Sequence, residues 1–168
     1  MDFRRLHIVG NVAARHSRTM GRGRERPAIG IADLDRQIAD SARRLMAFLE
    51  ENKASEVLDY PFGYSYPRNC CESASIIFML LLQERYGVSG VTIVRGTKPR
   101  LWQHHYWVRV RGLCYDLTAH QFAGRRPIIG VERHSFFATW PHQRATYQEG
   151  FVDSHAVIDL FRRGVIPF

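Results

Sequence analysis

The stretch Pro67-Arg68-Asn69-Cys70-Cys71-Glu72-Ser73-Ala74-Ser75-Ile76-Ile77-Phe78-Met79-Leu80-Leu81-Leu82 decides the reading of this chain. Proline and asparagine punctuate a loop, and an unbroken apolar run follows. From Ile76 to Leu82 no polar face exists at helical spacing. A helix over about 71–86, stopped by Gly87, is therefore predicted to be buried on all sides. Short alternating or β-branched segments come next, at 91–95, 105–111 and 113–117. Arg111-Gly112 is a tight turn that joins the last two as an antiparallel hairpin. The predicted fold class is α+β, a buried central helix packed on a mostly antiparallel sheet.

Before this stretch, Leu34, Ile38, Ala42, Leu45 and Leu49 recur at helical spacing, and Asp33 is the expected cap of an amphipathic helix ending near Asn52. Asp59 to Pro67 reads as an aromatic-rich loop. Beyond Gly124 the pattern weakens: Ile128–Val131 reads as a strand and Ser154–Arg163 as a helix ending at Gly164. Residues 1–30 read as a basic, flexible leader and residues 31–168 as a single catalytic domain.

Composition narrows the function classes. The hydrophobic fraction of 45% supplies a core and argues against global disorder. The net charge is +8, but residues 1–26 hold seven arginines against Asp2 and Glu25, a net +5. The excess lies in the leader, so no specific nucleic-acid partner is expected. The leader faintly resembles a transit peptide, yet it lacks an apolar face, and Met20 stands as an alternative start. Three cysteines, two of them adjacent, suggest reduced thiols and a cytoplasmic setting. No apolar run approaches the roughly 18 residues of a membrane span, so no membrane partner is expected.

The chemistry lies in three fragments. A thiol opens the 71–86 helix, His104-His105-Tyr106-Trp107 lies on one arm of the hairpin, and Tyr115-Asp116-Leu117-Thr118 lies on the other. Amides at a helix start favour a thiolate, a histidine takes its proton, and a carboxylate orients the imidazole. His105 and Asp116, eleven residues apart about the turn, are expected roughly opposite each other. The candidate catalytic residues are Cys71, His105 and Asp116. Cys70 is the alternative nucleophile, since a helix boundary shifts easily by a residue. If Asp116 served only a turn with Thr118, the orienter would have to be Glu132, Asp153 or Asp159.

These fragments resemble a known family. Pro67-x-x-x-Cys71-x-x-Ala74-Ser75, then His105-Tyr106-Trp107, then Asp116-Leu117-Thr118 with Gln121-Phe122, are similar to the transglutaminase-like and papain-like cysteine hydrolases. The resemblance implies a Cys–His–Asp triad in that chain order, with the cysteine on a central helix and its partners on an antiparallel sheet. It implies a thiol-dependent acyl-transfer enzyme acting on amide bonds, as a peptidase, amidase or glutamine deamidase. The alternatives are transglutaminase-type crosslinking and a catalytically silent binding module that keeps the fold. The glutamine of papain-type oxyanion holes has no match, Ser65 standing in its place, so the Cys71 N–H is the expected oxyanion donor.

The expected partner is a protein or peptide bearing a side-chain or backbone amide. No cofactor or metal is expected, because adjacent Cys70-Cys71 and His104-His105 point apart where zinc ligands are spaced by two to four residues. Cys114, inside a strand, is read as core. His7, His16, His120, His134, His142 and His155 are read as surface rings. Arg109 and Arg111 form an expected basic rim beside His105. Because the leader offers little apolar surface, a chain starting at Met20 should keep its melting temperature and thiol reactivity, with a large loss of soluble protein as the contrary result.

Overall fold

The computed structural model describes residues 30–53, 55, 57–58, 65–146 and 152–168. The leader to residue 29 and the loop over 59–64 lie outside the described residues. The chain runs through α1 (Ile31–Glu51), α2 (Cys71–Tyr86), β1 (Thr92–Lys98), β2 (Gln103–Val110), β3 (Leu113–Asp116), β4 (Ile128–Val131), α3 (Ser135–Ala138), β5 (His142–Thr146) and α4 (Ser154–Arg162). The five strands form one sheet in the order β4-β3-β2-β1-β5, every pair antiparallel. The fold is α+β, as the hydrophobic pattern predicts.

α2 spans the predicted residues. Gly87 ends it in the left-handed region, at φ 62°, its N–H bonded to the Gln83 carbonyl. The helix is not buried all round. Ile76, Ile77, Phe78, Leu81 and Leu82 are covered, whereas Met79 and Leu80 are half-buried. The sheet, α1 and α4 pack against it and leave one flank to solvent. α1 begins three residues earlier than expected, and its cap is not Asp33. Gly30 offers its carbonyl to the N–H groups of Asp33 and Leu34, and Asp33 pairs with Arg36 instead.

The hairpin turns on Arg111 and Gly112, both at positive φ (54° and 81°). Two left-handed residues match the twist of the flanking strands. The register pairs Val110 with Leu113, Arg109 with Cys114 and Val108 with Tyr115. Carried one step on, it sets Asp116 across from Trp107 rather than His105. The two expected partners are therefore diagonal neighbours on one face, still within reach of long side chains.

Two elements escape the sequence pattern. β5 is a polar edge strand paired only with β1, and α3 is a single turn capped by His134, whose ring accepts from the Phe136 N–H. α3, with Trp140 just after it, roofs a second core on the sheet face away from α1 and α2. Ile93, Tyr106, Val108, Val110 and Tyr115 join the helix-side core, and Val94, Trp107, Cys114, Phe136, Phe137 and Trp140 form the other. Among the described residues no helix is long and apolar enough to cross a membrane.

Gly96, paired with His105 across β1 and β2, holds the second core together. A Cβ there would lie 2.7 Å from the Trp107 ring and 2.8 Å from the Trp140 Cβ. Neither indole has room to retreat, because both are buried to within 1% of full coverage. Gly96→Ala should therefore cost about 1–3 kcal/mol by overpacking, read from urea denaturation. An unchanged midpoint would show that the two tryptophans are free to move.

Candidate active site

His105 sits near the start of β2 with its side chain wholly buried, and Asp116 ends β3 equally buried. The ring Nε2 lies 2.6 Å from Asp116 Oδ2. A carboxylate only accepts, so Nε2 carries the proton and Nδ1 is left as the acceptor of the neutral ring. Asp116 Oδ1 in turn accepts from the backbone N–H of Thr118 at 3.0 Å and from its hydroxyl at 3.1 Å. The turn contact with Thr118 and the histidine contact thus coexist, one on each carboxylate oxygen. Tyr66 fixes the same turn by donating its hydroxyl to the Leu117 carbonyl at 2.8 Å.

The Cys71 thiol lies close enough to the ring to act on its charge. The Gln121 side-chain amide approaches Nδ1 at 3.4 Å. The three residues singled out from the sequence are therefore brought together. Burial alone would lower the pKa of His105; the Asp116 carboxylate, by charge and hydrogen bond, and the Cys71 thiol outweigh it and push the pKa up to about 9.

Cys71 is the first residue of α2, and the first intrahelical bond runs from Ala74 N–H to the Cys70 carbonyl. The N–H groups of Cys71, Glu72 and Ser73 thus have no acceptor within the helix and form a natural anion seat. Asn69, in the left-handed region at φ 58°, turns the chain into that start.

The three thiols differ sharply. Cys71 is half-buried; Cys70 and Cys114 are buried. Cys70 donates to the Arg68 carbonyl at 3.2 Å and lies 3.5 Å from the Ser65 hydroxyl, and burial pushes its pKa up. It serves the loop, not the His105 ring. Cys114 is part of the second core.

An aromatic wall, unforeseen from the sequence, encloses the histidine. Trp140 stacks on the ring at 5.3 Å between centroids, and Phe122 and Phe136 present edges at 5.0 and 5.5 Å. Two of these come from the weakly patterned stretch beyond Gly124. Only Phe122 lay in a quoted motif.

Other expectations change. Arg111 is not part of a rim beside His105: its Nε pairs with Asp35 of α1 at 2.6 Å. His134 caps α3, and His120 packs edge-on against Tyr66 with a buried Nδ1, so neither is a free surface ring. Asp153 caps α4 and Asp159 pairs with Arg163, which gives both structural roles away from His105. Among the described residues no three His, Cys, Asp or Glu side chains converge to hold a metal ion.

No family model matches the chain, and no curated protein or solved structure is similar to it.

The raised histidine has a consequence for stability. A group whose pKa is higher folded than unfolded stabilises the fold fully below its unfolded value, near 6.5, and loses that contribution as pH rises toward about 9. The melting temperature of the native chain should fall between these pH values more than that of Asp116→Asn, where the carboxylate holding the imidazolium is gone. Parallel pH profiles for the two chains would rule out a charged pair in the core.

Proposed function

We propose that this chain is a thiol-dependent acyl-transfer enzyme acting on amide bonds of a protein or peptide, with Cys71 as nucleophile, His105 as base and acid, and Asp116 as orienter. One observation carries the reading: a buried imidazole with one nitrogen on a carboxylate, close enough to the thiol of a helix-opening cysteine to feel it. Structural histidines have no need of a thiol partner. A structural cysteine gains nothing from a base.

The chemistry follows from the geometry. Nδ1 takes the Cys71 proton as sulfur attacks the amide carbonyl carbon, and the resulting imidazolium is held by Asp116. The carbonyl π electrons move to oxygen, and the oxyanion is met by the N–H groups at the start of α2. His105 then returns the proton to the leaving nitrogen, the C–N bond breaks, and a thioester on Cys71 remains. Water attacking the thioester gives hydrolysis; an amine gives crosslinking. A central helix that presents the thiol to an antiparallel sheet fits the papain-like and transglutaminase-like arrangement that the motifs resemble. Thiols rather than disulfides at Cys70, Cys71 and Cys114 suit a reducing, cytoplasm-like compartment.

Labelling with iodoacetamide, assigned by mass spectrometry, tests this without a known substrate. Cys71 should alkylate at pH 6 far faster than Cys70 or Cys114. His105→Ala should slow it by about 10²-fold or more. Adding Asp116→Asn to His105→Ala should change little, because coupled catalytic groups are not additive. Slow labelling of all three thiols alike would sink the enzyme reading, and additive losses would remove Asp116 from the triad.

A further inference from the structure

The helix-side face of the sheet continues past the start of α2 as a row of cations. Arg144 of β5, Arg95 of β1 and Tyr106 of β2 stand directly across from one another. Two residues along, His142, Thr97 and His104 form a second row on the same face. Arg144, Arg95 and the second row line a groove of about 510 Å³. Like charges directly opposite on a sheet face repel. Yet among the described residues neither Arg95 nor Arg144 has an ion-pair partner within salt-bridge distance.

Two buried atoms show that the groove is electrostatically unfinished. Arg95 Nε has no hydrogen-bond partner, and neither has Oε1 of Glu72, the residue after Cys71. Burial raises the pKa of Glu72, and the Arg95 guanidinium pulls it back down. Burial and the two arginines lower the pKa of His104, and its Nδ1 lies 3.1 Å from the Thr97 hydroxyl. Beside the groove, Tyr106 takes the Arg95 guanidinium over its ring at 6.0 Å and lies close enough to Glu72 and Cys71 to feel both.

We propose that this groove is a subsite for a carboxylate on the substrate, so that Cys71 prefers amides carried beside an acidic side chain. A planar guanidinium matches a carboxylate in two parallel hydrogen bonds, and a second guanidinium opposite it lets one anion relieve the repulsion of the pair. The proposal rests on the thiol reading above and adds the class of substrate.

Two alkylating probes that differ by one carboxylate test it: the α-amides of N-iodoacetyl-glutamate and N-iodoacetyl-glutamine. Each forms a bond from Cys71 sulfur to its methylene carbon and releases iodide. The glutamate probe should label Cys71 about threefold to tenfold faster at low salt, and the advantage should shrink at about 0.5 M salt. Arg144→Gln, on an exposed edge strand, and Arg95→Gln should each lower the ratio of the two rates, and their combination should bring it close to that of free cysteine. Glu72→Gln should raise it. Fast labelling by the glutamine probe with no gain for glutamate, or a gain that survives both arginine substitutions, overturns the subsite and leaves the thiol reading standing. If neither probe labels Cys71 ahead of Cys114, the thiol reading fails and the subsite fails with it.

Discussion

Burying His105 against Asp116 removes two ionisable groups from water, and each loses several kcal/mol of hydration on the way in. The arrangement holds only because the carboxylate's lone pairs are answered: Oδ2 by the imidazole, Oδ1 by the amide and hydroxyl of Thr118. An apolar pair of the same volume would fold at least as well. Stability is therefore a weak reason for these residues to stand here, which favours the proton transfer proposed above. Most of the second core serves this end. Trp107, Phe122, Phe136 and Trp140 surround the ring with hydrocarbon, which keeps water from competing for its hydrogen bonds.

The two faces of the sheet divide the labour. The helix-side core, with α1, α2 and α4, is the larger and would make a stable layer without any chemistry. The far-side core is small, is roofed by the single turn of α3, and closes over Gly96 where no side chain fits. Its closeness is what turns a solvent-labile histidine into a fixed one.

How legible was this in the sequence? α2, the hairpin and α4 were, because an uninterrupted apolar run, a two-residue turn and Asp153 before Ser154 are local signals that tertiary context rarely overrides. Cys71, His105 and Asp116 were legible as a set because α2 and the hairpin are those well-marked elements. The diagonal offset of His105 from Asp116 was legible too, although the two were expected opposite each other: a two-residue turn at Arg111-Gly112 pairs Val110 with Leu113 and so sets Asp116 across from Trp107. β5 was invisible. His142-Gln143-Arg144-Ala145-Thr146 is an exposed edge strand, and such strands carry polar residues that avoid unwanted pairing rather than the alternation that marks a half-buried one. With β5 unseen, the row from Arg144 to Tyr106 could not be assembled either, and the basic rim was assigned to Arg109 and Arg111 instead.

Cys70 and Cys71 show how little separates a packing residue from a reactive one. Consecutive residues on a helix are turned about 100° from each other. At the start of α2 that single step carries one sulfur into the core, against the Arg68 carbonyl, and the next toward the imidazole. The assignment thus depends on where the helix begins. That point is set by Asn69, whose left-handed backbone ends the loop and leaves Cys70 as the cap and Cys71 as the first helical residue. A loop one residue shorter would make Cys70 the first helical residue and turn it toward His105. The seat of free N–H groups would remain, because it belongs to the helix start and not to either side chain. Which sulfur faces His105 is therefore chosen by backbone geometry, and the two thiols, chemically identical in the unfolded chain, become different groups only when α2 forms.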